Sequence, residues 1–145
     1  MAEKSYLNAI EIKPDYEEPY GNLMSLYIFL KRWDSLESIY QSGISNASSH
    51  SFIIFQAGRY QFYLGNYELS YNAALKVIQE DKLDNEQAFI LGIKSLIKLT
   101  ESTNKQDKKT LFVETSILLD KALNHFPNSI DLIQLKESIY LKEKI

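Results

Sequence analysis

The sequence has no cysteine. That removes disulfides, thiolate metal sites and cysteine nucleophiles together, and it suits a reducing compartment. Glycine and proline are scarce, at five and three residues. The chain holds no glycine-rich phosphate loop and no G-x-S-x-G turn, both of which need several glycines in a short span. Histidine occurs twice, His50 in a serine-rich stretch and His125 beside Phe126-Pro127, and the two supply no ligand pair for a metal. Both read as exposed or half-buried polar residues. Long apolar runs are missing too. The longest, AFILGIKSLIKL from Ala88 to Leu99, is broken by Lys94 and Lys98 and falls short of the roughly 20 residues of a membrane span. A net charge of -3 gives no broad basic field, so neither nucleic acid nor a membrane surface is an expected partner.

The first residues, MAEKSYLNAIEIKP, carry acids and a proline where a secretory signal needs an unbroken apolar core, so no targeting segment is read. Asn46-Ala47-Ser48 matches a glycosylation triplet that matters only in a secreted protein. The acid pairs Glu17-Glu18 and Glu80-Asp81 fall at helix termini, where carboxylates are commonly solvated, and neither makes an acid/base pair. No enzyme activity and no cofactor are expected. The expectation is a soluble cytoplasmic protein.

What the sequence does contain is a period. Hydrophobic residues make up 45% of the chain, enough for a core at this length. Tyr20, Leu23, Met24 and Tyr27 recur at helical spacing, as do Ile54, Ala57, Gly58 and Gln61, and then Ala88, Leu91, Gly92 and Ser95, each set 34 residues after the one before. The second helices agree: Trp33, Leu36, Tyr40 and Gly43 map onto Tyr67, Ser70, Ala74 and Val77 with the same shift. Small residues such as Gly58, Gly92, Ser70 and Ala74 suit close helix approach, with Tyr20, Tyr27, Trp33, Tyr40 and Tyr67 filling the gaps beside them. Gly65-Asn66 reads as a left-handed helix stop. Pro14 and Pro127 end helices by withholding an amide donor.

A 34-residue period with two helices per unit resembles the tetratricopeptide repeat. Ala2, Tyr6, Ala9 and Pro14 occupy the slots of that family's second helix, and Thr115, Leu119, Ala122 and Pro127 do the same in the third unit. Met24 stands at a glycine slot, Gln61 and Ser95 at the tyrosine slot, and Ser48 and Lys82 where the family has proline. The resemblance implies an all-α fold: a right-handed superhelical array of antiparallel helix pairs, about three repeats with terminal capping helices. The units are a half repeat or capping helix at 2–14, repeats at 16–49, 50–84 and 85–127, and a capping helix at 128–145. Ser42 to Ser49 reads as a polar loop, and residues 100–110, TESTNKQDKKT, as a loop inserted in the third repeat. Lys105, Lys108 and Lys109 in that insertion are either a contact for an acidic partner or a solvated run. An opening half repeat is either a cap or the edge of a longer array, the latter being favoured.

In such an array the first helices of the pairs line the concave side. The outward positions are Asn22, Ser25 and Phe29, then Phe55, Gln56, Arg59, Phe62 and Tyr63, then Phe89, Ile90, Ile93 and Ile97. This is an aromatic groove with Arg59 near its middle, suited to an apolar or aromatic peptide carrying an acidic group. The slots by which some members of the family clamp chaperone tails hold Gly21, Ser25, Gln56, Glu86 and Ile90 here, so that ligand is not expected. Two readings stay open: an adaptor that binds a protein or peptide partner in the groove, or a self-associating or architectural segment of a larger protein whose catalytic domain lies elsewhere.

Overall fold

A computed structural model describes residues 1–143, and among them every regular element is a helix. The order is α1 (Ala2–Ile12), α2 (Glu17–Leu30), α3 (Trp33–Asn46), α4 (Ser51–Tyr63), α5 (Tyr67–Glu80), α6 (Glu86–Ser102), α7 (Lys105–His125) and α8 (Ile130–Glu143). The expected 128–145 helix corresponds to α8, with Lys144 and Ile145 outside the described residues. Consecutive helices pack pairwise, and α2, α4, α6 and α8 also touch in sequence, whereas α3 and α5 make no contact among the described residues. The starts of α2 and α4 are 34 residues apart, as are those of α3 and α5.

The turns repeat with the helices. Lys31 takes a left-handed φ of 56° while the Arg32 amide donates back to the Tyr27 carbonyl at 2.9 Å. Thirty-four residues on, Gly65 takes φ 85° and the Asn66 amide donates to the Gln61 carbonyl at 2.9 Å. Both close a helix by the same backward bond, and only the second carries the residue that adopts this conformation without a Cβ clash.

Burial sorts the residues into two cores that meet at α4. Tyr20, Leu23, Met24, Tyr27, Leu36, Ala47 and Ile53 form the first, with Tyr6, Trp33, Ala57 and Tyr60 against it. Val77, Phe89, Ile93, Leu96, Leu119 and Leu132 are among those forming the second, with Ile54, Phe55 and Tyr71 against it. Helix α4 thus presents Ile53 to one core and Ile54 to the other. Glycines allow the approach: a Cβ on Gly58 would sit 2.9 Å from that of Ala73, and one on Gly92 3.4 Å from that of Ala74.

Two expected loops are largely helix. The serine-rich stretch stays in α3 as far as Asn46, and its remainder is pinned, with Ser48 donating from its amide and hydroxyl to the Asp15 carbonyl at 2.9 and 3.0 Å. The supposed insertion at 100–110 is a correction: Thr100 to Ser102 continue α6, only Thr103 and Asn104 lie between helices, and Lys105 to Thr110 begin α7. The Asn104 side chain accepts from the Asp107 amide at 3.4 Å, so an asparagine cap followed by helix-forming Lys and Gln converts the extra residues into longer helices. Lys108 and Lys109 are exposed on α7, while the side chain of Lys105 lies outside the described residues.

Side chains also hook one pair to the next. Glu17 in the first turn of α2 accepts the Phe52 amide, the Ile53 amide at 3.2 Å and the Ser49 hydroxyl at 2.6 Å, and so caps α4, whose own N-cap His50 makes no side-chain cap. Glu17→Ala therefore costs about 1–2 kcal/mol, seen as a lower urea midpoint at unchanged slope. At the other end Glu3 anchors α1, accepting from the Tyr27 hydroxyl and Arg32 Nη1, both at 2.9 Å. The Arg32 hydrogen bond first, and then that of Tyr27, hold the Glu3 carboxyl below its usual value. A depressed acid contributes stability above its unfolded pKa of about 4.3 and loses it as pH falls through the folded value. The melting-temperature gap between the wild type and Glu3→Gln should accordingly be widest near neutrality and close in acid.

Candidate functional site

A depression of about 500 Å³ lies across α2, α4, α5 and α6. Ile28 of α2, Phe55, Arg59, Phe62 and Tyr63 of α4, Tyr67 of α5, and Gln87, Ile90, Leu91 and Lys94 of α6 line it. On both α4 and α6 these residues recur at three- and four-residue steps, so each helix offers one continuous stripe.

The aromatic wall is braced from behind. Phe62 meets Tyr67 edge to face at 5.2 Å between ring centroids, and Tyr63 rests on Trp33 at 5.3 Å, with Tyr60 on the other contact of the same indole at 5.3 Å. Arg59 is held at one edge: its Nη1 donates to Gln56 Oε1 at 2.7 Å and to Ser25 Oγ at 3.3 Å. Gln56 is only 3% exposed, so a buried amide fixes the guanidinium while the rest of it faces outward. Ser25 and Arg59 occupy the same slot of successive pairs, which is why they meet. Lys94 is exposed on α6, no carboxylate lines the depression, and neither cation forms an ion pair among the described residues.

The expected groove residues divide accordingly. Phe55, Arg59, Phe62, Tyr63 and Ile90 line the depression, and Ser25 and Gln56 stand behind it as partners of Arg59. Asn22 is half-buried and Phe29 is 82% exposed, yet neither lines it; Ile28 does so from α2. Phe89 and Ile93 are corrections: both are 0% exposed and belong to the second core, Phe89 lying 6.1 Å from the Phe126 ring. Ile97 lines a separate depression with Thr100 and Phe112. Each residue step turns a helix by about 100°, so on α6 Phe89 and Ile93 face wholly inward, Ile90 belongs to the second core at 6% exposure while edging the depression, and Lys94 is exposed. Lys94 was missed because it reads as an interruption of an apolar run; its spacing of four from Ile90 and seven from Gln87 is the signal that finds it.

His50 and His125 are not brought into contact. The His125 Nδ1 pairs with the Lys121 carbonyl at 3.0 Å, and the His50 Nε2 is buried without a hydrogen-bond partner among the described residues. Among those residues no cluster of His, Cys, Asp or Glu is placed to hold a metal, and no helix is long and apolar enough to cross a membrane. No family model, curated protein or solved structure matches the chain.

Proposed function

We propose that this chain is a non-catalytic interaction scaffold of the tetratricopeptide type, an adaptor that seats a peptide or helix of another protein in the depression across α4 and α6. The observation that carries the reading is the lining itself: braced aromatic side chains beside two cations, open to solvent and free of acids. Rigid aromatics and arginine are the residue types that concentrate binding energy at protein interfaces. The 34-residue interval between the starts of the first and second helix pairs, the turn repeated in both, and the asymmetric packing support an array that curves: α2 touches α4 and α4 touches α6, while α3 and α5 stay apart. Closer packing on one side than the other bends a stack into a superhelix. A cytoplasmic location, no cofactor and no nucleic-acid or membrane partner complete the proposal.

Arg59→Glu and Phe62→Ala test it. Peptides selected on the intact chain from a random display library should bind either variant at least about tenfold more weakly, with the helical circular dichroism of Arg59→Glu retained and its thermal midpoint lowered only by the loss of the Gln56 hydrogen bond. A second reading, self-association in an architectural role, draws on exposed apolar side chains of α7 and α8, with Ile117 63% and Leu141 67% exposed. A mass that rises with concentration in light scattering, untouched by either groove variant, would favour it.

A further inference from the structure

The groove expected from the sequence suits an apolar or aromatic peptide with an acidic group on Arg59, and the charge of the whole site, with Lys94 added, narrows the partner further. The whole chain is net negative, at -3, yet the depression carries Arg59 and Lys94 and no carboxylate. Ion pairs among the described residues involve Arg32 with Glu3, and Lys98 and Lys142 with Glu101, none of them at the depression. Arg59 is instead oriented by neutral groups, the Gln56 amide and the Ser25 hydroxyl, both taken by Nη1. Its Nε and Nη2 have no partner among the described residues, and two neighbouring N–H groups on one guanidinium edge match the two oxygens of a carboxylate. An arginine edge oriented by neutral groups, in a depression also lined by Lys94 and the rings of Phe55, Phe62, Tyr63 and Tyr67, is half of a complementary contact.

We infer that the segment seated here is an acidic peptide stretch in which an aromatic or large aliphatic side chain is flanked by carboxylates. The apolar side chain enters between Phe62, Tyr63 and Ile90, and the carboxylates fall on Arg59 and Lys94. Single-stranded nucleic acid also uses aromatic platforms with cations, but it needs a track of cations along its backbone. Two lysine or arginine residues in the lining of a net-negative chain supply none. The inference rests on the groove reading and commits to more than it.

Fluorescence anisotropy with three short labelled peptides decides the matter: a phenylalanine flanked by Asp and Glu, the same peptide with Asn and Gln, and the same with Lys. The acidic peptide should bind about tenfold or more tightly than the amide peptide, and the lysine peptide most weakly. Arg59→Gln and Lys94→Gln should each remove part of that preference and the double variant all of it, with added salt narrowing it in the wild type. Equal binding of the acidic and amide peptides, both lost in Phe62→Ala, overturns the acidic assignment and leaves the groove standing. Acidic-peptide binding that survives the double variant places the contact elsewhere and overturns it too. Absence of binding by all three overturns the inference and the groove reading together, and displacement of the acidic peptide by oligouridylate overturns it in favour of nucleic acid.

Discussion

Phe89→Ala will lower the stability of the fold by about 3–5 kcal/mol, read as a fall in the urea midpoint at unchanged slope. The ring is 0% exposed and packs with Phe126 and the surrounding aliphatics of the second core, where helices α5 to α8 meet. Truncation removes the transfer free energy of the ring and leaves a cavity that neighbours on four helices cannot all move to fill. The same substitution distinguishes the two positions that α6 residues occupy. A groove phenylalanine replaced by alanine would weaken a partner and leave the melting curve alone, so a stable Phe89→Ala protein would show that α6 is rotated from the orientation described here.

Gly58→Leu will be nearly as damaging, costing about 3 kcal/mol or more. Even the first added carbon would lie 2.9 Å from the Ala73 Cβ and 3.1 Å from Leu91 Cδ2, with the Ser70 carbonyl at 3.6 Å. Gly58 lies where α4 presses on α5, and α6 lies behind, so a branched side chain must drive helices apart rather than swing one flexible neighbour aside. Replacing glycine in a helix otherwise gains close to 1 kcal/mol of propensity. That gain sets the direction of the result: a stabilised Gly58→Leu would mean that α4 and α5 do not approach as closely as described.

The period was the most legible feature, because it depends only on which residues avoid water. Tyr20, Leu23 and Tyr27, and Ala88, Leu91 and Ser95, are buried as their spacing implies, whereas of the middle set Gly58 is buried and Ile54, Ala57 and Gln61 are half-buried; Gly65 stands at a left-handed φ as its place before Asn66 suggested. Composition misled where polar residues were read as loop. Thr100 to Thr110 are almost all helix, since Lys, Gln and Glu form helices readily and Asn104 supplies the cap. Half of the candidate groove was readable. On α6, which is apolar on most sides, Phe89 and Ile93 are one residue step from Ile90 and Lys94, and Ile90 itself is 6% exposed and part of the second core, so spacing alone does not separate the two faces; on α2 the same one-residue step puts Ile28 rather than Phe29 at the depression. The contacts that orient the site were not readable at all. Glu17 capping α4 and Gln56 holding Arg59 depend on side chains meeting across the packed chain, and no local pattern marks them.

Chemical-shift mapping with a display-selected peptide tests the central claim most directly, because it locates the occupied surface without assuming its chemistry. The account predicts that the largest side-chain shifts fall on Phe55, Arg59, Phe62, Tyr63, Ile90 and Lys94. Shifts centred instead on Leu69, Val113 and Ile117, the exposed apolar residues of α5 and α7, would contradict it.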